Sequence, residues 1–191
     1  MRKLILSVLF GAVIFIGITG CVLFEKPWET EQAWNQTGEL EHYGLIAAED
    51  KVVGKWFYFN LEPDWGGAQY FASTPAVVDG WIKVERNENA SEDNWCAQIL
   101  RLLDKSKSEY EIKLKVKASQ DVKVPYYFGA EPYMDENTAI RGEIEFKTTE
   151  QEITLSFKKQ FTNEENLKFA LEFGKIPNVT LYVKPVSVKY R

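Results

Sequence analysis

Histidine occurs once in this chain of 191 residues, cysteine twice, and lysine and arginine (23) are outnumbered by aspartate and glutamate (28). Each shortage excludes something. A Ser-His-Asp or Cys-His catalytic group needs a positioned imidazole, and only His42 is available. It lies in a polar N-terminal stretch and is expected at the surface. A net charge of -5 lacks the basic face that nucleic acid demands, so no nucleic-acid partner is expected. No internal repeat and no low-complexity tract interrupts the chain. Aromatic residues are plentiful: six Trp, nine Tyr and twelve Phe.

The N-terminus reads as an address. Arg2 and Lys3 precede an apolar run at 4–18 that is interrupted only by Ser7. Such a run is short for a membrane span, which needs about 20 residues, and suits the hydrophobic region of a signal peptide. Ile18-Thr19-Gly20-Cys21 follows. This resembles the bacterial lipobox, in which small residues precede a cysteine that receives a diacylglycerol before cleavage at its N-terminal side. The resemblance implies a signal peptide at 1–20, a lipid on Cys21 and a lipidated tether at 21–50. It also implies a protein held in the bacterial cell envelope, at the outer membrane or cell surface. Several acyl chains give stable anchoring, each buried methylene contributing about 0.8 kcal/mol. With Cys21 lipidated, Cys96 has no disulfide partner, and one cysteine and one histidine cannot build a zinc cage. Cys96, between Trp95 and Ala97 in an apolar run, is expected to be buried and inert.

From residue 51 to 191 short β-rich segments recur between Gly, Pro, Asn and Asp. Tyr110, Ile112, Leu114, Val116 and Ala118 alternate with Glu111, Lys113, Lys115 and Lys117. Val122, Val124, Tyr126 and Phe128 repeat the pattern, followed by Ile144 and Phe146, then Ile153, Leu155 and Phe157. Leu167, Phe169, Leu171 and Phe173 alternate too strictly for a helix capped by Asn163. Period-two alternation marks strands with one buried face. About ten strands and little helix predict an all-β fold, a sandwich of two antiparallel sheets. The change of parity between Val183 and Val186, with Pro185 in the gap, predicts a bulge or an edge in the last strand.

Val78-Asp79-Gly80-Trp81-Ile82-Lys83-Val84, then Trp95-Cys96-Ala97-Gln98-Ile99, Tyr110-Glu111-Ile112 and Lys117-Ala118-Ser119, stand in an order that resembles carbohydrate-binding modules of the family 4/9 type. The resemblance covers about 51–190 and implies a jelly roll that binds glycans without catalysis. The family's last strand carries an acidic residue, often next to a structural calcium. Here that stretch reads Val183-Lys184-Pro185-Val186, and lysine cannot ligate calcium. No cofactor is expected.

A sugar presents apolar C–H faces and polar edges, so its site pairs flat rings with planar hydrogen-bonding groups. Gln98 matches the family's cleft glutamine. Its parity opposes Trp95 and Ile99: the resemblance places those two in the core and Gln98 on the concave face, while the residues alone allow a satisfied core amide. Trp81 points away from Ile82 and Val84, as a binding platform or as a surface packed under the N-terminal segment. Tyr127 and Glu131 fall on the outward side of their strand, and Tyr133 follows. Trp65 sits in the turn-rich Pro63-Asp64-Trp65-Gly66-Gly67. Trp56, which shares a face with Tyr58, completes the candidate ligand-binding set. Lys113, Lys115 and Lys117 read as a solvated face, with Lys117 a possible cleft border. The expected partner is a polysaccharide or oligosaccharide bound by a monomer at the membrane. The alternative is a structural or adhesion lipoprotein that meets a protein partner. Glu143 and Glu145 share one side as a glycosidase pair would, but their neighbours make them an ordinary solvated face, and no enzyme is expected. The glycan reading requires Trp81, Gln98, Tyr127 and Glu131 to line one groove.

Overall fold

The computed structural model describes residues 26–31, 36–130, 139–159 and 166–191, apart from the side chain of Trp65. The strands are β1 (Glu29–Thr30), β2 (Gly38–Glu39), β3 (Glu41–His42), β4 (Trp56–Asn60), β5 (Ala76–Val78), β6 (Trp81–Glu85) and β7 (Ala97–Leu103). They continue with β8 (Glu109–Ala118), β9 (Val122–Ala130), β10 (Ile140–Phe146), β11 (Gln151–Lys158), β12 (Leu167–Glu172) and β13 (Thr180–Tyr190). Three short 3-10 turns are the described helical elements. Sheet A runs β11-β8-β13-β6-β5-β2, with β1 added to β13; sheet B runs β10-β9-β12-β7-β4-β3. Pairing is antiparallel except between β3 and β4. The all-β sandwich expected from the alternation is present.

The alternating positions explain the packing. Tyr110, Ile112, Leu114 and Val116 of sheet A and Val124, Phe128, Phe169 and Leu171 of sheet B are fully buried and share one core between the sheets. Phe128 and Phe157 stack at 4.4 Å. Trp56 closes this core, edge-on to Phe169. The two-residue turn between β5 and β6 has Asp79 and Gly80 at φ 53° and 76°. Both values are left-handed, as a tight hairpin of this hand requires. The register of β13 against β8 slips between Pro185 and Ser187, where the parity change predicted it.

Within the segment expected as a tether, residues 29–31 and 36–50 join the sandwich. β1 extends sheet A beside Tyr190. Glu31 pairs with the buried guanidinium of Arg101. Gln36 brackets Trp56, donating from Nε2 to its carbonyl and accepting its amide at Oε1. Strands of two residues are too short to show a period, so the sequence hides them. His42 is also corrected: it is buried, not at the surface. Its Nδ1 accepts from the Gly44 amide at 3.1 Å, and Nε2 lies 3.0 Å from the Asn60 carbonyl. Tyr58 packs against the ring edge-on. Cys96 is buried as expected, and burial raises its thiol pKa.

Candidate functional site

The outer face of sheet B is not a plain solvated surface. Phe57 of β4, Leu100 and Leu102 of β7, Ala170 of β12 and Tyr127 of β9 form a second buried apolar cluster there, with Tyr43 packed on top. β7 and β12 are consequently buried along their whole length, on both faces. The segment after β3 makes one wall. The Tyr43 amide donates to the Tyr58 carbonyl at 2.7 Å, and the Lys51 ammonium stands 4.2 Å over the Tyr43 ring.

Beside this cluster lies a pocket of about 460 Å³. Leu100, Gln98 and Lys168 form its floor. Tyr43, Gly44, Ala48 and Lys51 line one side, Phe59 and Trp95 the other, and Asn166 stands at the start of β12. The Phe59 and Trp95 rings lie 6.4 Å apart and inclined at 36°. Three aromatic rings, two side-chain amides and two ammonium groups therefore share one concave surface.

Gln98 is the most informative member. It is 3% exposed, and its Nε2 donates to the Trp95 carbonyl at 2.7 Å. That bond fixes the amide, yet Oε1 is buried with no hydrogen-bond partner. A buried acceptor without a donor costs about 1–3 kcal/mol, so a feature of the surroundings has to account for it. Glu172 sits directly across from Gln98 in the pairing of β12 with β7. Its Oε1 is likewise buried and unpartnered, while Oε2 accepts from Arg141 at 3.3 Å. Burial raises the Glu172 pKa, with Arg141 and Lys168 acting in the opposite direction.

The constellation expected from the sequence is not assembled. Gln98 lies on the outer face of sheet B, in the pocket. Trp81 is on β6 of sheet A and faces the opposite side of the molecule. Tyr127 is on the predicted outer face but fully buried, its hydroxyl donating to the Ala130 carbonyl. Arg141 and Lys168 lie over its ring, so it supports the floor and is not among the lining residues. Trp56 cannot touch a ligand because it is wholly inside the core. The alternation of KWFYFN sends Trp56 inward and Phe57 and Phe59 outward. Trp95, expected in the core, lines the pocket because the 3-10 turn Asn94–Cys96 breaks the alternation just before β7. Trp65 lies on the 3-10 turn Pro63–Trp65, its side chain outside the description. Cys21, Glu131 and Tyr133 lie outside the described residues. Lys117 belongs to sheet A and does not border the pocket. Sequence reasoning missed Tyr43, Phe59 and Glu172. The available signal was that β4 is aromatic on both faces, which an ordinary half-exposed strand is not.

Glu143 and Glu145 lie on the exposed side of β10, near Lys123 and Lys147 respectively. Among the described residues, no three His, Cys, Asp or Glu side chains converge as metal ligands do.

No family model matches the chain, and no curated protein matches it. Solved structures do. A carbohydrate-binding module of family 4 superposes with a TM-score of 0.58 at 18% identity, covering 71% of this chain and 86% of that one. The second N-terminal cellulose-binding domain of a Cellulomonas fimi β-1,4-glucanase C gives 0.52 at 14% identity, over 80% and 91%. The CBM1 module of BiXyn10A in its apo form gives 0.50 at 16% identity, over 82% and 100%. At these identities the likeness is one of fold: the chain has the jelly-roll architecture of carbohydrate-binding modules.

Proposed function

We propose that the protein is a non-catalytic carbohydrate-binding lipoprotein. In this reading it is anchored through Cys21 in the bacterial cell envelope and holds a polysaccharide or oligosaccharide in the pocket on sheet B. The observation that carries the proposal is the concave grouping of the Trp95 and Phe59 rings with the Gln98 and Asn166 amides. The amides meet sugar hydroxyls, and the rings cover the C–H faces of the same sugar. The jelly-roll neighbours support this reading, since one of them is a cellulose-binding domain. The pocket asks for no ionised acid–base pair: Glu172, the carboxylate paired across from Gln98, is engaged by Arg141.

Native affinity gels and calorimetry over neutral β-glucans, xylans and mannans test the proposal. Binding by the wild type that weakens in Trp95→Ala supports it; silence across the panel overturns it. The anchor is tested separately, by fatty-acid labelling of cells expressing the chain. Label is expected on the wild type and absent from Cys21→Ser.

A further inference from the structure

We propose that the outer face of sheet A carries a second binding site, distinct from the pocket, for the carboxylate-bearing sugar residues of an acidic polysaccharide. The pairing of β6, β13 and β8 builds it. Val183 opposes Ile82 and Val116, so Tyr182 opposes both Lys83 and Lys117, and Trp81 falls beside Lys184. Two flat rings and the ammonium groups thus alternate across three adjacent strands. The Lys117 ammonium lies between the rings, 4.9 Å from Trp81 and 5.1 Å from Tyr182, and the Lys184 ammonium is 6.0 Å from Trp81.

The charges on this face are not all balanced locally. Lys83 is held by Glu85 and Lys115 by Glu150, each at 2.7 Å. Lys117 and Lys184 form no ion pair among the described residues; Glu150 acts on both but is engaged by Lys115, and Asp79 lines the same cleft as Lys184. Two cations without an ion pair therefore flank two half-buried rings on a protein whose net charge is -5. A cation over a ring that is partly open to solvent is weakly held, so each ammonium can turn to an incoming carboxylate and leave the ring to a sugar face.

The complementary ligand is flat, apolar on one side and anionic at its edge, which describes a uronic acid residue in a chain. A membrane surface fits less well. Trp81 and Tyr182 are half-buried in a strand face instead of projecting from it, and Glu85 and Glu150 stand among the lysines, whereas interfacial binding needs a protruding apolar face.

The test uses the full chain, solubilised in detergent, in native gels containing polygalacturonate or alginate, with mobility normalised to polymer-free gels. Wild type is expected to be retarded. Lys117→Gln/Lys184→Gln is expected to weaken that binding about tenfold, the worth of lost charge-assisted contacts. High salt is expected to abolish it. Trp95→Ala, a pocket variant, is expected to bind the uronans as wild type does. Absence of retardation by both polymers overturns the inference, as does retention by the double lysine variant. So does loss with Trp95→Ala, which would assign the uronan to the pocket. Lysine-dependent binding to phosphatidylglycerol vesicles without uronan binding would make the face a membrane contact and also overturn it. The pocket reading fails independently, on neutral glycans and Trp95.

Discussion

At the scale of single residues, Gln98 separates a structural role from a ligand-binding one. Were its amide there to hold the fold, replacing it would loosen the start of β7. The unpartnered Oε1 indicates the opposite balance, because a buried orphan acceptor destabilises the empty protein. Gln98→Leu keeps most of the volume and removes that acceptor, at the cost of one bond to the Trp95 carbonyl. We expect its melting temperature to stay within a few degrees of wild type while glycan affinity falls about tenfold, one hydrogen bond being worth about 0.5–1.5 kcal/mol. Calorimetric titration and thermal melts on the same sample read both quantities. A clear loss of stability with unchanged affinity would make Gln98 a structural residue. Trp95→Ala removes a ring face instead of an acceptor. Losing some 50 Å² of stacked area costs about 1.3 kcal/mol at 25 cal/mol per Å², again near tenfold in affinity.

At the scale of elements, the N-terminal strands matter more than their length suggests. β3 and the segment after it cover Phe57 and Leu100 through Tyr43, and β1 brings Glu31 to Arg101. Arg101 is 3% exposed as a side chain and Glu31 14%. Burial lowers the Arg101 pKa, with Glu31 opposing. Glu31→Gln leaves that guanidinium buried without its counter-charge, a change that costs about 3 kcal/mol when one partner of a buried pair is removed. Urea denaturation is expected to show a lower midpoint with an unchanged slope. A chain starting at residue 51, the boundary that periodicity suggests, loses β1, β2, β3 and Tyr43 together. It is expected to expose the second apolar cluster and to bind a hydrophobic dye or precipitate, whereas one starting at residue 26 is expected to melt as wild type does. The same elements show what the sequence displayed. Tyr110–Ala118 and Leu167–Glu172 were legible because one face of each meets the core at every second residue. The pocket was not, because its parts break that rule: a 3-10 turn turns Trp95 aside, and β4 buries aromatic side chains on both faces. Its third wall comes from residues too few to carry a pattern. Trp81 was legible as an outward ring, but parity within one strand does not say which of two sheets that strand joins.

At the scale of the whole molecule, stability against pH reports on the buried carboxyl opposite Gln98. Glu85, Asp104 and Glu150 have pKa values held below the ordinary carboxylate range. Glu85 and Glu150 are lowered by hydrogen bonds from lysines and Ser73; for Asp104, burial pushes upward but is outweighed by the bonds from Ser106 together with the charges of Lys107 and Lys159. A carboxyl depressed in the folded state contributes stability above its unfolded pKa and loses it as pH falls, so these three weaken the fold in acid. Glu172 acts with the other sign. Its folded pKa is raised, chiefly by burial. The folded protein therefore retains that proton where the unfolded chain has released it, and stability declines as pH rises from about 4.3, the unfolded value. The decline ends once the raised folded pKa has been passed. Glu172→Gln removes this contribution without touching the other three. Its melting temperature is expected to equal that of wild type near pH 4, to exceed it increasingly as pH rises, and to hold a constant margin thereafter. Arg141, 40% exposed as a side chain and lying over Tyr127, keeps its hydration and adds no buried charge to the variant. A variant less stable than wild type at pH 7 would show that the attraction of Glu172 for Arg141 and for the buried Lys168 outweighs desolvation. The carboxylate would then be a fixed anion opposite Gln98 and not a strained one.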